Sequence, residues 1–443
     1  MENEVNEVVE QVEEKTHHHR HHSHHHHHHH HHHHKSSKKK KKFSLKRFVQ
    51  KNKTPLRILA FALAIALTIG ATVFVVKLLD QMGRNDAPVT NQSTTAPQLP
   101  VGQVAVVLNR FDQPVVLYHD EVSTYLSASI SVPASDILGG KQADRLDQGQ
   151  PLKLSFDVMG LADTCKITGF RVEVTEKGQK DPVLRKDIGA DERSVMLYNL
   201  KTAATYQYVI RADFNAMSSV TVSGSFETAA GPRLLKVDGI ANVRDFGSWK
   251  TADGKTVKQG LLYRGSELDG VVEESFLLKE SGKNTLQNEL GIRMEMDLRQ
   301  TSERSSTDRL DKNVVYCPDP YNMPFFDAVF ETGKADAVCR VFKDLANPEN
   351  YPIYMHCTFG RDRTGTVCLI LGAVLGMEEQ TLLREYGLSA LYYGDAEYVN
   401  ANAVLAGLKT YEGDTLAQQA ENYLLSIGLT EAEIASLRQI YLG

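Results

Sequence analysis

The residues His356-Cys-Thr-Phe-Gly-Arg-Asp-Arg-Thr-Gly365 are the most informative about the fold of the carboxy-terminal half. They follow a short apolar run, Tyr351-Pro-Ile-Tyr-Met355, and lead into the apolar, helix-like residues 364–375. A strand that runs through a tight loop into a helix aims backbone N–H groups and a helix N-terminus at one point, which makes an anion site. Cys357 and Arg363 are separated by five residues, a spacing that lets both face the centre of such a loop.

Each residue type in this loop has a chemical reason. An ordinary thiol is mostly protonated at neutral pH, but a helix N-terminus, inward N–H groups and Arg363 favour the thiolate of Cys357. That thiolate is predicted to attack phosphorus and to form a phosphocysteine, which splits ester hydrolysis into two easier steps. The planar guanidinium of Arg363 matches two phosphoryl oxygens, and Thr364 supplies a hydroxyl near the thiolate. No metal or cofactor is needed, and the sequence of this half contains no metal-ligand cluster.

The rest of the loop is predicted to bind the phosphoryl group through its backbone. N–H groups of residues 358–363 stabilise the charge on the equatorial oxygens, and Gly360 lets the chain curl closely around them. The predicted phosphate-binding residues are Thr358, Phe359, Gly360 and Arg361.

The loop resembles that of a bacterial tyrosine-protein phosphatase family, which reads HCTxGKDRTG and which also includes lipid phosphatases. Further segments match the family in order: Asn242–Gly247 (NxRDxGG), Leu262–Leu268 (LYRSGxL), Asp297–Glu303 (DLRxxxE), Glu385–Ser389 (DYxLS) and the helices of Tyr423–Arg438. The resemblance covers about residues 235–443. It implies hydrolysis of phosphotyrosine-type or phosphoserine monoesters, or of phosphoinositides. Arg361 stands where the family has Lys, and Ser248 replaces a second Gly.

The general acid has three candidates. The resemblance implies the loop residue Asp362, whereas other cysteine phosphatases carry the acid on a separate loop before the Cys. Asp327 and Asp319 lie 30 and 38 residues upstream of Cys357, in a segment rich in Pro and aromatic residues. The predicted supporting residues are His356, Asp297, Arg299, Arg244 and Asp245. Asp297 and Arg299 either face the pocket or hold the loop, and the sequence favours neither role.

The amino-terminal part differs sharply from the rest in charge. Residues 1–57 carry thirteen Lys or Arg and six Glu, whereas the remainder carries 37 basic and 49 acidic residues. Nucleic-acid partners need a basic face, so the acidic main body excludes them. Residues 1–57 show no apolar periodicity and are predicted to be a disordered tail. Its sixteen His residues suit weak metal binding, a solvated tail or a tag.

Residues 58–76 are predicted to be a transmembrane helix, because nineteen uncharged, mostly aliphatic residues span the thickness of a bilayer. Ten Lys or Arg lie in residues 38–57 but only two in residues 77–96. The positive-inside rule therefore predicts a cytoplasmic N-terminus and an extracytoplasmic catalytic domain in a single-pass membrane protein. Residues 77–100, rich in Pro, Thr, Asn and Gln, are predicted to be a linker.

Residues 101–230 alternate apolar and polar positions with a period of two, as in Leu152–Phe156 and Phe170–Val174, and predict an all-β sandwich. The segment Leu200-Lys-Thr-Ala-Ala-Thr-Tyr206 resembles the corner between two strands of fibronectin type III domains, which implies a spacer or an adhesion surface. Residues 231–443 instead alternate strands and helices, which predicts an α/β domain with a mostly parallel sheet flanked by helices.

Three functions remain open at this point. The first is a membrane-anchored phosphatase acting on phosphorylated proteins, and the second is the same chemistry acting on phosphoinositide lipids. The third is a surface adhesion or phosphate-sensing protein whose catalytic fold only binds. The intact Cys357, Arg363 and Asp362 weigh against the third, because a degenerate binder need not keep all of them. The sequence predicts no oligomeric state.

Overall fold

The structure is a computed structural model, and it describes residues 104–130, 132, 134–138, 145–305, 310–317, 319–394 and 398–443. The predicted tail, transmembrane helix and linker all lie outside these residues. Among the helices of the described part, none combines the length and the apolar character needed to cross a membrane. The prediction for residues 58–76 therefore stays a prediction.

The first part of the described chain is a two-sheet sandwich of seven strands. They are β1 (Ala105–Leu108), β2 (Leu152–Met159), β3 (Ile167–Glu176), β4 (Leu184–Ile188), β5 (Ser194–Leu197), β6 (Thr205–Phe214) and β7 (Val220–Glu227). One sheet has the order β1-β2-β5 and the other β4-β3-β6-β7, and all pairs within them are antiparallel. Alternating apolar side chains of both sheets, such as Leu154 and Val172, meet in one core.

The tyrosine that suggested a fibronectin-like corner makes a local contact of the expected kind. The Tyr206 hydroxyl is buried and accepts a hydrogen bond from the backbone N–H of Lys201 at 2.8 Å. This bond fixes the turn into β6. The fibronectin assignment itself remains a prediction, since a single corner does not identify a family.

The connection between β1 and β2 differs from the expectation of an all-β module over residues 101–230. It contains two helices, α1 (Asp120–Ser127) and α2 (Ala134–Leu138). Their apolar residues do not enter the sandwich core. Val122 and Tyr125 instead pack with Leu388 and Leu391 of the carboxy-terminal half. Strand periodicity could not predict this, because α1 buries its residues at helical spacing.

The carboxy-terminal half is built on a five-stranded sheet. Its strands are β8 (Arg244–Asp245), β9 (Leu262–Gly265), β10 (Met294–Asp297), β11 (Val315–Tyr316) and β12 (Ile353–His356), in the order β11-β10-β12-β9-β8. All neighbours are parallel except β8 and β9. The prediction of a mostly parallel sheet flanked by helices is confirmed.

Helices cover this sheet. They are α3 (Glu280–Asn284), continued by a π-helical turn (Thr285–Glu289), α4 (Ala335–Leu345), α5 (Asp362–Val374), α6 (Glu379–Gly387), α7 (Ala390–Tyr393), α8 (Tyr398–Leu408), α9 (Leu416–Ser426) and α10 (Glu431–Leu442). Short 3-10 turns lie at Thr301–Glu303, Phe326–Phe330, Thr332–Lys334 and Pro348–Asn350. Every residue of α5 is buried, so this helix is the centre of the core. Thr430 and Glu433 form a capping box at the start of α10.

Candidate active site

The predicted catalytic loop lies between the end of β12 at His356 and the start of α5 at Asp362. It therefore sits at the carboxyl end of the parallel strands, where open α/β sheets bind ligands. Cys357 is only 2% exposed and is the first residue after the strand. The sequence placed this loop correctly because an apolar strand and an apolar helix flank it.

The carbonyl groups of residues 358–360 each accept a hydrogen bond from outside the loop. The Thr358 carbonyl accepts from the Glu267 N–H at 2.9 Å. The Phe359 carbonyl accepts from Asn242 Nδ2 at 3.2 Å and from the Tyr393 hydroxyl at 2.7 Å. The Gly360 carbonyl accepts from an Arg264 guanidinium nitrogen at 2.6 Å. In a planar trans peptide the N–H points away from the carbonyl. The N–H groups of residues 359–361 are thereby turned to the opposite side, as an anion-binding loop requires.

Gly360 is required by its surroundings. Its φ of +63° lies in the left-handed region, and a Cβ at this position would approach the carbonyl oxygen of Gly265 to 2.1 Å. A side chain here would separate the loop from β9. The predicted role of Gly360 in closing the loop therefore has a direct steric reason.

Arg363 is held in place by a carboxylate that the sequence had not singled out. Two of its guanidinium nitrogens donate to Glu303, one of them to Oε1 at 3.0 Å, and its guanidinium carbon lies 4.5 Å from the centre of the Phe325 ring. Burial alone would raise the pKa of Glu303, but the bonds from Arg363 and from the Gln300 N–H lower it. Glu303 thus stays ionised and fixes the orientation of the arginine fork.

Two buried polar atoms at the end of the loop have no hydrogen-bond partner among the described residues. They are Arg363 Nε and Thr364 Oγ1. Buried donors nearly always have a hydrogen-bond partner in native proteins. Two buried donors without one at a binding loop therefore indicate groups that contact a ligand or the nucleophile. The catalytic roles of Arg363 and Thr364 stay predictions.

The three candidates for the general acid lie in different environments. Asp362 accepts two hydrogen bonds from Arg361, at 3.1 and 3.3 Å, and its side chain is 11% exposed. Asp319 is exposed and pairs with Arg340 at 2.9 Å. Asp327 is exposed on the 3-10 turn that follows Phe325, the residue that contacts Arg363. Only Asp362 belongs to the loop itself, and the choice among the three remains a prediction.

Asp297 and Arg299 belong to a buried network beneath the loop. Arg299 donates to both Asp297 and Asp269 and also pairs with Glu267. Burial opposes ionisation of Asp297, but His356 and Arg299 together lower its pKa. Their position supports the loop-holding role rather than contact with substrate.

His356 faces two carboxylates of the same network. Its Nε2 lies 3.2 Å from Glu295 and its Nδ1 lies 3.9 Å from Asp297. Oxygen and nitrogen atoms of these three buried residues lie within 4.8 Å of one another, a spacing that could also hold a metal ion. These atoms are already used by the hydrogen bond between His356 and Glu295, by the one between His356 Nδ1 and the Cys357 carbonyl, and by the one from Arg299 to Asp297. We therefore assign the group to support of the loop.

Arg244 and Arg264 meet at one buried carboxylate next to the loop. Glu385 accepts from Arg244 at 2.9 Å and from Arg264 at 2.7 and 2.9 Å. Burial and the neighbouring Arg264 lower the pKa of Arg244. Asp245 was predicted beside Arg244 but points elsewhere, accepting from Arg233 at 3.0 Å and from the N–H groups of Gly247 and Gly260.

Sequence reasoning missed several residues that shape the loop. Asn242, Arg264, Glu303 and Glu385 all lie within the segments that carried the family resemblance, so these segments held the signal. Tyr393 and the residues of the β1–β2 connection lie outside them. No periodicity or spacing marks those positions.

Comparisons with known proteins agree with this geometry. A model described as the tyrosine phosphatase family matches residues 235–443. A tyrosine-protein phosphatase of Nostoc commune is 29% identical, over 22% of this chain and 42% of that protein. A protein of Cupriavidus necator that bears a tyrosine-protein phosphatase name is 27% identical, over 35% of this chain and 63% of that protein. The chain thus spans between about two fifths and less than two thirds of these relatives' lengths.

The solved structures that match include the core catalytic domain of a PP-IP phosphatase from S. cerevisiae. The match covers 41% of this chain and 94% of that chain, with 15% identity and a TM-score of 0.27. A likeness this low supports no conclusion about fold or substrate. The family model and the two relatives show that residues 235–443 are similar in sequence to tyrosine phosphatases.

Proposed function

We propose that this protein hydrolyses phosphate monoesters, of the phosphotyrosine type and also phosphoserine, through a phosphocysteine on Cys357. The observation that carries the proposal is the loop of residues 357–364. Its carbonyls are held outward, and Arg363 is oriented by Glu303 at the same point. This arrangement places a nucleophile, an arginine fork and backbone donors around one anion.

The reaction proceeds in two displacements. The Cys357 thiolate attacks phosphorus while the ester P–O bond breaks, and a carboxylic acid gives its proton to the leaving oxygen. Water then attacks the phosphocysteine, the same carboxylate takes a proton from it, and phosphate leaves as the thiolate returns. Arg363 and the loop N–H groups bind the three equatorial oxygens in both steps.

We assign the acid to Asp362. It begins α5 at the edge of the loop, and its carboxylate lies against Arg361. To protonate a leaving group it must exchange this partner for the ester oxygen. Asp327 is the alternative, because Phe325 brings its segment to Arg363. An Asp362→Asn variant separates the two, because only removal of the general acid itself abolishes the basic limb of the pH dependence of kcat/KM.

A second part of the proposal concerns where the domain lies in the cell. We propose that residues 58–76 anchor the protein in a membrane in a single pass, with the catalytic domain on the extracytoplasmic side and a fibronectin type III-like sandwich before it. The apolar run, the basic residues that precede it and the Tyr206 corner support this. Protease treatment of intact cells tests it, because an extracytoplasmic domain is cut without permeabilisation and a cytoplasmic one is not.

A Cys357→Ser variant of the full chain tests the chemistry. Phosphate release from a phosphotyrosyl peptide is expected to fall at least about a thousandfold, because the nucleophile is lost. Cys165→Ser, which changes a partly exposed cysteine of the sandwich, is the matched control and should keep full activity. Activity that survives the Cys357 change would exclude the mechanism. Wild-type protein that retains a phosphopeptide without turnover would instead favour the binding-only function.

Phosphoinositides are the second candidate substrate. Arg361 adds a positive charge beside the loop, and its guanidinium lies 5.6 Å from the Tyr393 ring centre. In this position it can meet a further phosphate on a substrate that carries several. Rates on a phosphotyrosyl peptide and on phosphoinositide vesicles should be compared for wild type and Arg361→Gln. A loss confined to the vesicles identifies the lipid as the substrate.

A further inference from the structure

We propose that the β1–β2 connection of the sandwich is part of the catalytic unit, with Asp147 as a positioning residue for the catalytic loop. This inference rests on the proposed function. It replaces the expectation that the sandwich is only a spacer. Two consecutive hydrogen bonds connect Asp147 to the loop, one from the Asn242 N–H to Asp147 and one from the Asn242 side-chain amide to the Phe359 carbonyl.

The connection is firmly docked on the catalytic domain. Tyr125 of α1 is buried, its hydroxyl bonds with that of Tyr398, and its carbonyl accepts from Arg384 at 2.8 Å. Gly149 approaches the carbonyl of Leu234 so closely that a Cβ would come within 2.3 Å. Apolar packing and close backbone contact therefore fix the segment against its neighbour.

Asp147 is the polar centre of this contact. It is 2% exposed, and Arg145 donates to both of its carboxylate oxygens, at 2.9 and 3.1 Å. Arg145 also donates to the carbonyl of Ile240 at 3.1 Å. The remaining capacity of the carboxylate accepts the backbone N–H of Asn242 at 2.8 Å. A residue of the sandwich connection thus satisfies a buried donor of the catalytic domain.

Asn242 carries the contact on to the loop. Its φ is +59°, a left-handed conformation in which Asn is one of the few favourable residues. Its side-chain amide donates to the carbonyl of Phe359 and to Ser389 Oγ, both at 3.2 Å, and its Oδ1 accepts from Arg244 at 2.6 Å. The carbonyl of Phe359 is one of the three that are turned outward. Its orientation sets the direction of the Gly360 N–H.

Loss of the Asp147 acceptor would therefore affect catalysis and not only stability. The Asn242 N–H would be buried without a partner, which strongly favours a shift of this residue. A shift moves its amide away from Phe359 and turns one loop N–H from the phosphoryl oxygens. Small displacements of this kind lower rates by as much as about a hundredfold.

The test compares full-length wild type, Asp147→Ala and Asp147→Asn, with Asp187→Ala as control. Asp187 pairs with Arg171 on the exposed face of the same sandwich, at 2.7 Å. For Asp147→Ala, kcat/KM on p-nitrophenyl phosphate should fall about tenfold or more. The inhibition constant for orthovanadate should rise by the same factor, because that anion mimics the transition state. Asp147→Asn keeps an acceptor oxygen and should restore most of the activity, and Asp187→Ala should resemble wild type.

The outcomes separate this inference from the proposed function. Wild type that releases no phosphate refutes the function, and orthovanadate-induced thermal stabilisation of each variant then still tests the loop. A folded Asp147→Ala protein with wild-type kcat/KM and wild-type orthovanadate inhibition overturns the inference. If that variant does not fold, Arg145→Ala decides. Arg145 holds both oxygens of the Asp147 carboxylate, so its loss should displace that carboxylate from the Asn242 N–H. The Arg145 side chain is 40% exposed, so its loss is tolerated more easily. Unchanged orthovanadate inhibition in Arg145→Ala overturns the inference equally.

Discussion

Two buried ion-pair groups contact the catalytic loop, and they differ in charge. In one group a single arginine, Arg299, faces the carboxylates of Asp297, Asp269 and Glu267. In the other group a single carboxylate, Glu385, serves both Arg244 and Arg264. The first group has surplus negative charge and the second has surplus positive charge.

The difference follows from what each group contacts. Arg264 reaches the loop through its side chain, which donates to the Gly360 carbonyl, so its charge lies near the bound anion. Glu267 reaches the loop only through its backbone N–H, which donates to the Thr358 carbonyl. Surplus positive charge beside the loop favours a phosphate dianion. The surplus carboxylates instead lock Arg299 and His356 behind the strand ends.

The largest loss of stability is expected at Glu385, because this one carboxylate is the counter-charge of two buried arginines. Glu385→Gln leaves two buried guanidinium groups without a counter-charge, and the free energy of unfolding should drop by about 3–5 kcal/mol. Urea unfolding at pH 7 measures it. Glu379→Gln is the matched control, because its pair with Lys409 is exposed at 44% and 48% and should cost no more than about 1 kcal/mol. Equal losses in the two variants would contradict the assignment of Glu385 as a shared counter-charge.

A smaller effect is expected in the group that has carboxylates in surplus. Asp269→Asn removes one partner of Arg299, but Asp297 and Glu267 remain beside the same guanidinium. The expected loss is about 1–2 kcal/mol, from imperfect pairing of the new amide with the arginine. The same urea unfolding series measures it. A loss as large as that of Glu385→Gln would show that the remaining carboxylates beside Arg299 do not limit the loss of stability.

The sequence predicted the parts of this site that depend on local pattern. An apolar strand, a loop with Cys357 and Arg363, and an apolar helix specify the anion site, and the structure has them in place. The family motifs predicted that Asp297, Arg299 and Arg244 support the loop. The spacing of these motifs could not predict which carboxylate forms an ion pair with each arginine. Those partners lie on other elements, as with Glu385, and only tertiary packing brings them together.

The β1–β2 connection marks the limit of sequence reasoning more sharply. Its two helices are short, and Arg145 and Asp147 lie in no motif. Strand alternation before and after the connection made a continuous all-β module the natural expectation. The polar contact of Asp147 with Asn242 joins residues 95 positions apart. Neither hydrophobic period nor spacing carries information about such a contact.

The smallest expected effect is on the pH dependence of stability, where Glu267 should behave in the opposite way to Asp297 and Glu303. Burial raises the pKa of Glu267, so its contribution to stability is present at low pH and lost as pH rises through the raised value. The pKa values of Asp297 and Glu303 are lowered, so their contributions are present above their unfolded values, about 3.9 and 4.3, and disappear as pH falls further. On acidification from pH 7, the free energy of unfolding should therefore first rise slightly as Glu267 is protonated. Below about pH 4 it should fall as Asp297 and Glu303 are protonated. Unfolding at several pH values, for wild type and Glu267→Gln, measures this. The early gain should be missing in the variant while the loss in acid persists, and a wild-type curve parallel to that of the variant would contradict the role of Glu267.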